Sequence, residues 1–295
     1  SKATYQAFAE ASEPKRQELA RRLNQFPGAT GQLVKLRKDL LGVVKDRPKL
    51  GPLDVDLKHL FSSWFNRGFL VLRPINWSSP ADILEKIIAY EAVHAIHSWD
   101  DLRLRLEPTD RRCFGFFHPS MPDEPLIFVQ VAFGDGLGKS IQDIMKPIAG
   151  NFEKSNTATF YSISNCQEGL MRVTLGNFLI KRVVYEIQSE NPNIKNFGTL
   201  SPLTGFADWF KNLSDNKLAD ILKNYDITKV AFLKSDTVKF GDQRIVEEKE
   251  AIKKVVVHYL LNEKNNNQPL NPVSRFHLGN GASIEDVIIN GNISD

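Results

Sequence analysis

The spacing of the apolar residues changes at Arg67 and Gly68, and this change constrains the fold more than any other feature of the 295-residue chain. Before it, apolar residues recur every three to four positions, which is the period of an amphipathic helix. After it, residues 69–72 form a short, fully apolar run of the kind found in β-strands. The sequence therefore predicts a helical domain over residues 1–66 and a second domain over residues 67–295.

The N-terminal part contains three predicted helices, over residues 14–26, 31–44 and 57–65. Pro27 and Gly28 interrupt the first run of helical spacing. Because both residues end helices readily, they predict a helical hairpin followed by a third helix.

The second domain alternates predicted strands and helices. Pro74 should end the strand at residues 69–72, and a helix should start at Ser79 and Pro80, with Ser79 as its cap. That helix is predicted to run to Glu91. Further strands are predicted over residues 113–118, 126–133, 158–163 and 197–200, and further helices over residues 176–187, 206–213, 219–224 and 246–261. This order predicts an α/β fold with a mixed sheet.

Composition excludes several classes of protein. The net charge is only +3 and charges of both signs are interspersed, which favours neither a nucleic-acid groove nor a membrane surface. No run approaches the roughly 18 apolar residues of a membrane-spanning helix. Cys113 and Cys166 supply no disulfide framework and lack zinc-site spacing. We therefore expect a protein of the bacterial cytoplasm or an organelle matrix, without nucleic-acid or membrane partners.

A predicted strand, a turn and a helix follow one another over residues 158–184. Such a turn can bind phosphate, because the first N–H groups of a helix lack partners and lie at the positive end of its dipole. The spacing is similar to the coenzyme A loop of acetyltransferase-like proteins, with Met171 at its first position. An ordinary glycine turn before a surface helix is an equally good interpretation of the local sequence. The candidate ligands are Gln167, Gly169, Thr174, Leu175, Gly176 and Asn177.

Two other stretches contain candidate catalytic side chains. Ser201 follows a predicted strand, and ligands of open α/β sheets bind beyond the C-terminal ends of strands; alternatively, Ser201 caps the next helix. His277 precedes a Gly-Asn-Gly segment, and histidine exchanges protons near neutral pH; alternatively, it is a core residue bonded to backbone. His94 and His97 have helical spacing but no convincing third ligand, so no metal site is predicted.

Several blocks of sequence resemble the malonyl-CoA decarboxylase family over almost the whole chain. They include Trp-Phe-Asn-Arg-Gly-Phe-Leu at 64–70, Leu-Ser-Pro at 200–202, Asn-Pro-Val at 271–273 and Phe-His-Leu at 276–278, together with residues 57–61, 83–94, 160–164 and 176–184. The resemblance implies a helical domain used in homo-oligomerisation, followed by an acetyltransferase-like (GNAT-type) domain. It also implies a catalytic serine and histidine, at Ser201 and His277, and a coenzyme A phosphate loop at residues 167–177.

The implied reaction is decarboxylation of malonyl-CoA to acetyl-CoA and carbon dioxide, without a metal and with no cofactor beyond the coenzyme A of the substrate. Thr174 stands where some family members have a glutamate, so we assign it no acid–base role. Family members continue beyond the histidine motif with a tyrosine-bearing segment, which we expect residues 67–295 to lack, and the helical domain is expected to be incomplete. Two alternatives stay open: a decarboxylase of malonyl-acyl carrier protein, and a non-catalytic acyl-CoA-binding protein. Acetyl transfer is less favoured, because no acidic base lies near the loop.

Overall fold

The computed structural model describes residues 4–5, 8, 14–146, 152–173, 175, 178–223, 225–235, 238 and 242–294. The chain divides into two compact units. The first unit comprises Ser1–Asp135 and Ala149–Phe197, and the second comprises Gly136–Ile148 and Gly198–Asp295. The N-terminal helices thus belong to the same unit as most of the large sheet.

The helices and strands have the following bounds. The helices are α1 Lys15–Leu23, α2 Ala29–Val43, α3 Gly51–Trp64, α4 Ala81–Tyr90, α5 Trp99–Leu106, α6 Ile141–Ile144, α7 Phe178–Glu190, α8 Phe206–Lys211, α9 Asp215–Leu222, α10 Gln243–Glu247, α11 Lys249–Leu261 and α12 Pro272–Gly279. The strands are β1 Val71–Ile75, β2 Arg111–Phe117, β3 Ile127–Gly134, β4 Thr157–Asn165, β5 Asn196–Thr199, β6 Lys264–Asn265 and β7 Gln268–Pro269. In the part of the chain that the structure describes, no helix combines the length and the apolar character needed to cross a membrane.

The N-terminal helices α1, α2 and α3 confirm the predicted hairpin and third helix. Gly28 lies between α1 and α2 with a φ of 75°, a left-handed conformation that glycine adopts without steric cost. Pro52 occupies the first turn of α3, where its missing N–H costs nothing. The three helices bury one apolar face in a core shared with the sheet, including Leu33, Val34, Leu57, Leu60 and Phe61.

The main sheet has the strand order β1-β2-β3-β4-β5. Strands β1 to β4 pair antiparallel with their neighbours. At the other edge, the backbone N–H of Asn196 donates to the carbonyl of Asn156, and its side chain donates to Thr157 at 3.4 Å. Because the starts of β4 and β5 lie side by side, these two strands run parallel, joined by the crossover helix α7. The predicted mixed α/β sheet is confirmed.

The predicted end of the first strand at Pro74 is wrong. Strand β1 continues through Pro74, which lies opposite Phe114 of β2. Proline cannot donate to a neighbouring strand, and it is therefore tolerated mainly in edge strands. β1 is such an edge strand, with a neighbouring strand on one side only.

The predicted cap of α4 is also wrong. The residue at the N-cap position is Pro80, and no side chain caps this helix. The hydroxyl of Ser79 instead accepts from the backbone N–H of Asn76 at 3.1 Å. By contrast, α5 was not predicted, although its N-cap Ser98 accepts from the N–H of Asp101 in the usual way.

A buried polar cluster joins the end of α4 to strands β3 and β4. The Glu91 carboxylate, which is fully buried, accepts from the Ser162 hydroxyl at 2.8 Å and from the Gln130 amide at 2.9 Å. Ser164 donates to the same carboxylate, and Arg105 lies 3.8 Å away. Because a buried charge is stable only when it is paired and hydrogen-bonded, this cluster fixes the position of the chain after α4.

The second unit has its own core, built around α8, α9 and α11. The single helix predicted over residues 246–261 is wrong in one respect, since Glu248 leaves helical geometry and separates α10 from α11. The short hairpin β6–β7 turns at Asn266 and Asn267, which both have positive φ, as two-residue hairpin turns require. Helix α12 was not predicted; it begins after Asn271 with Pro272 in its first turn.

Candidate functional site

The two predicted catalytic side chains lie next to each other in the second unit. The Ser201 hydroxyl oxygen is 3.4 Å from Nε2 of His277, although 76 positions separate them in the sequence. The same hydroxyl donates to the Thr199 hydroxyl at 3.1 Å. A 3.4 Å contact is a long hydrogen bond, of a kind that tightens in an enzyme once substrate is bound.

Neither alternative interpretation of these residues agrees with the local structure. Helix α8 begins at Phe206 with Gly205 as its N-cap residue, so Ser201 does not cap it. Ser201 is exposed, just beyond β5. His277 is half-buried on α12, and its Nε2 contacts a side-chain hydroxyl rather than a backbone group.

One buried amide joins the loop of Ser201 to the helix of His277. The Asn271 side-chain oxygen accepts from the N–H of Ser274 at 2.7 Å and caps α12. Its side-chain nitrogen donates to the carbonyl of Thr204 at 2.7 Å, in the loop that follows Ser201. Sequence reasoning missed this role, although an asparagine directly before a proline is a helix-start signal that could have revealed it.

The state of His277 follows from its burial. Burial lowers the pKa of this imidazole below its ordinary value, because a charged ring loses solvation there. The ring is therefore neutral at pH 7, with one nitrogen that donates and one that accepts. With the hydroxyl of Ser201, it can present two hydrogen-bonding groups to an oxygen of a bound ligand.

The candidate phosphate loop lies in the first unit, directly after β4. A 3-10 turn, Glu168–Leu170, leads into it. The Gln167 amide donates to the carbonyl of Pro125 at 3.1 Å, and Leu175 is buried in the apolar core. The side chains of Gln167 and Leu175 are thus engaged by the protein. Three of the predicted ligands, Thr174, Gly176 and Asn177, lie outside the described residues.

Gly169 is glycine for a packing reason. A Cβ atom at this position would lie 1.9 Å from the carbonyl oxygen of Val34 on α2. Only glycine allows the two backbones to approach this closely. The loop therefore rests directly on an N-terminal helix, which the glycine pattern alone did not reveal.

A basic residue of this loop was also missed. Arg172 is exposed and has a φ of 61°, which turns the chain sharply before the start of α7. A guanidinium group binds phosphate with charge-assisted hydrogen bonds. Its position within the candidate loop was the signal that could have identified it.

His94 and the two cysteines lie in packed surroundings. Nε2 of His94 lies 3.1 Å from the carbonyl oxygen of Tyr161, and burial lowers its pKa, whereas His97 is exposed. Cys113 and Cys166 are buried thiols whose pKa values burial raises. Among the described residues, no three His, Cys, Asp or Glu side chains are grouped so that they could hold a metal ion.

Comparison with known proteins gives consistent matches at the family level. The family model described as the malonyl-CoA decarboxylase C-terminal domain matches residues 68–295, and the N-terminal domain model matches residues 1–65. The mitochondrial malonyl-CoA decarboxylase of Anser anser anser is 36% identical over 297 residues, covering 92% of this chain and 59% of the relative. That of Rattus norvegicus is 35% identical, covering 91% and 60%. The chain thus spans about three fifths of the length of these curated relatives.

Solved structures give similar matches. The crystal structure of malonyl-CoA decarboxylase from Rhodopseudomonas palustris is 47% identical with a TM-score of 0.85, covering 95% of this chain and 69% of that one. The structure from Agrobacterium vitis is 42% identical with a TM-score of 0.83, covering 100% and 72%. At these identities, the likeness extends well beyond a shared fold.

Proposed function

Because the chain belongs to the malonyl-CoA decarboxylase family, we propose that it converts malonyl-CoA into acetyl-CoA and carbon dioxide. The names of the similar proteins support this substrate and this reaction. The observation that carries the assignment of the site is the 3.4 Å approach of Ser201 to His277.

The chemistry explains why a hydroxyl and an imidazole suit this reaction. Loss of carbon dioxide breaks the bond between the carboxylate carbon and the α-carbon, and the electron pair moves onto the thioester carbonyl oxygen. The resulting enolate is then protonated on carbon to give the acetyl thioester. Hydrogen-bond donors placed where the negative charge develops stabilise it, and one such donor is worth about 3 kcal/mol in known acyl-transfer sites.

The pair in the second unit is suited to this task without further groups. The Ser201 hydroxyl and a neutral His277 ring each have an N–H or O–H that can bond the enolate oxygen or orient the carboxylate. A substrate carboxylate near the ring would raise its pKa, since an opposite charge favours the protonated form. His277 could then take up a proton from solvent and transfer it to the enolate carbon, which leaves the ring neutral again. We propose these roles for the pair as a whole.

We also propose that the chain forms a homo-oligomer through its N-terminal helices. The exposed apolar residues of this region include Leu19, Leu23, Phe26 and Leu36. Exposed apolar clusters of this kind mark interaction surfaces. Light scattering should give more than one chain per particle, and Leu19→Glu combined with Leu36→Glu should lower that number. A monomeric wild-type chain would contradict the proposal.

The cellular location stays a prediction.

The catalytic pair is tested by separate substitutions. His277→Ala and Ser201→Ala should each reduce carbon dioxide release at least tenfold, while titration calorimetry shows coenzyme A still binding, because the phosphate loop is untouched. His97→Ala removes an exposed histidine and serves as the matched control, with normal turnover. Near-normal carbon dioxide release by both His277→Ala and Ser201→Ala would contradict the site assignment.

The same assays separate the alternatives. Malonyl-CoA that binds without turnover in the wild-type chain would support a non-catalytic binding protein. Turnover of malonyl-acyl carrier protein but not of malonyl-CoA would support the carrier-protein decarboxylase. Either result would overturn the proposed reaction.

A further inference from the structure

A buried arginine of the N-terminal helices binds the backbone of the candidate coenzyme A loop. Arg37 lies on α2, and only 1% of its surface is exposed. Its Nη1 donates to the carbonyl of Gly169 at 2.7 Å and to that of Met171 at 3.0 Å. Both carbonyls belong to the loop, more than 130 positions away in the sequence.

The guanidinium group is itself oriented by a carboxylate. Nε of Arg37 donates to Asp54 on α3 at 2.8 Å. A buried charge without partners is strongly destabilising, so the guanidinium must keep the carboxylate and both carbonyls as acceptors. The planar guanidinium group donates to the carboxylate through Nε and to the carbonyls through Nη1. The single ammonium group of lysine cannot reproduce this arrangement.

Two further contacts place the loop against α2. The backbone of Gly169 packs on the carbonyl of Val34 so closely that no side chain fits there. Lys38 forms an ion pair with Glu168 at 2.9 Å, although both side chains are largely exposed and such pairs contribute little stability. The buried contacts of Arg37 and Gly169 therefore determine where the loop lies.

The orientation of one peptide links Arg37 to ligand binding. In a trans peptide, the carbonyl and the following N–H point in opposite directions. Because Arg37 binds the carbonyl of Met171, the N–H of Arg172 is directed away from Arg37. The exposed side chain of Arg172 leaves the same turn, at a positive φ. Arg37 thus fixes the turn from which the Arg172 side chain extends and in which the Arg172 N–H is directed away from Arg37.

We propose that Arg37, oriented by Asp54, is a positioning residue for the binding of coenzyme A phosphates, so that substrate affinity depends on the N-terminal helices. This inference rests on the proposed function, because it takes the loop to bind the substrate's phosphates. Arg37 acts through the loop backbone and does not touch the substrate. Its loss should therefore weaken binding and leave the chemical step nearly unchanged.

The test compares Arg37→Lys and Arg37→Met with wild type in the full chain. Both variants should raise the Kd for coenzyme A and the KM for malonyl-CoA about tenfold, which corresponds to about 1.4 kcal/mol. The kcat should stay within about twofold, and amide hydrogen exchange should increase at residues 168–173. Arg22→Met makes the same change at an exposed site of α1 paired with Glu18 and should alter none of these quantities.

A second variant keeps the inference testable if Arg37 variants do not fold. Asp54→Asn preserves the shape of the carboxylate but removes its charge. It should raise the same Kd by a smaller factor, about threefold, since the ion pair becomes a hydrogen bond from the guanidinium group to a neutral amide.

The outcomes separate this inference from the proposed function. If the wild-type chain releases carbon dioxide and binds coenzyme A, while Arg37→Lys and Asp54→Asn leave Kd, KM and exchange unchanged, only the inference is overturned. Equal losses of kcat and stability with unchanged Kd would also overturn it, as a purely structural role would give that result. A wild-type chain that neither binds coenzyme A nor acts on malonyl-CoA overturns both.

Discussion

Substitution of Asn271 tests how the second unit holds Ser201 and His277 together. The Asn271 side chain makes two bonds of 2.7 Å, one that caps α12 and one that anchors the carbonyl of Thr204. Asn271→Ser should keep the cap and remove the anchor, because a serine hydroxyl caps a helix but is too short to reach Thr204. Asn271→Ala removes both bonds. The two variants therefore separate the stability of α12 from the position of the Ser201 loop.

The expected losses in the free energy of unfolding depend on which donors still bond the carbonyl of Thr204. The carbonyl of Thr204 also accepts from the Tyr259 hydroxyl at 2.9 Å, so it keeps one side-chain donor in Asn271→Ser. This variant should therefore lose about 1 kcal/mol of unfolding free energy. The lost cap should add about 1 kcal/mol in Asn271→Ala. Combining Asn271→Ser with Tyr259→Phe removes both side-chain donors from one carbonyl. The double variant should therefore lose about 1 kcal/mol more than the sum of the single changes.

Urea unfolding and steady-state carbon dioxide release provide the measurements. The kcat of Asn271→Ser should fall about tenfold, because a shift of about 1 Å between reacting groups can cost more than that. Its KM should stay near the wild-type value, since the candidate phosphate loop is unchanged. Tyr259→Phe, which leaves the Asn271 anchor in place, is the control. A normal kcat in Asn271→Ser, with additive stability losses in the double variant, would refute the reasoning.

Three further predictions concern protonation, the buried cluster and the thiols. Because burial lowers the pKa of His277, the unfolded chain takes up this proton at higher pH than the folded chain; stability should therefore fall as pH drops from about 6.5 towards the lowered pKa. A free energy of unfolding that stays constant or rises on acidification through this range would contradict the prediction. Glu91→Gln should lower the free energy of unfolding by about 3 kcal/mol in urea titrations, since Arg105 loses its buried carboxylate; a change below about 1 kcal/mol would count against the cluster. Cys113 and Cys166 should react with a thiol reagent only as the chain unfolds, because burial raises their pKa values, and rapid labelling of the native chain would exclude this.

The sequence predicted the elements whose signals are local. The helical hairpin followed from apolar periodicity and from Gly28, and the β2–β3 pair followed from two apolar runs joined by a turn. Where a tertiary effect decided the outcome, prediction failed. Pro74 reads as a strand end, yet it is accommodated because β1 lies at the edge of the sheet. Edge position is a property of the whole sheet, which the sequence near Pro74 does not encode.

The candidate site was predictable in part. Ser201 and His277 were candidates from their local sequence and were given catalytic roles by the family resemblance. Their approach depends on how α12 packs in the second unit, which no spacing rule specifies. Gly169 was chosen for its freedom near a phosphate, whereas the structure explains it by contact with Val34. A glycine signal indicates that a backbone is approached closely, and the sequence does not reveal by which partner.

Two of the residues that the sequence did not reveal, Arg37 and Asn271, share a physical role. Loops near binding sites lack the regular bonds of helices and sheets, so their carbonyls need other donors. Arg37 donates to Gly169 and Met171, and Asn271 donates to Thr204. Each donor is buried and is held in turn by a helix, so each transfers the rigidity of a helix to a loop. Substitutions at either position should therefore change the geometry of binding or catalysis beyond the effect expected from lost stability alone.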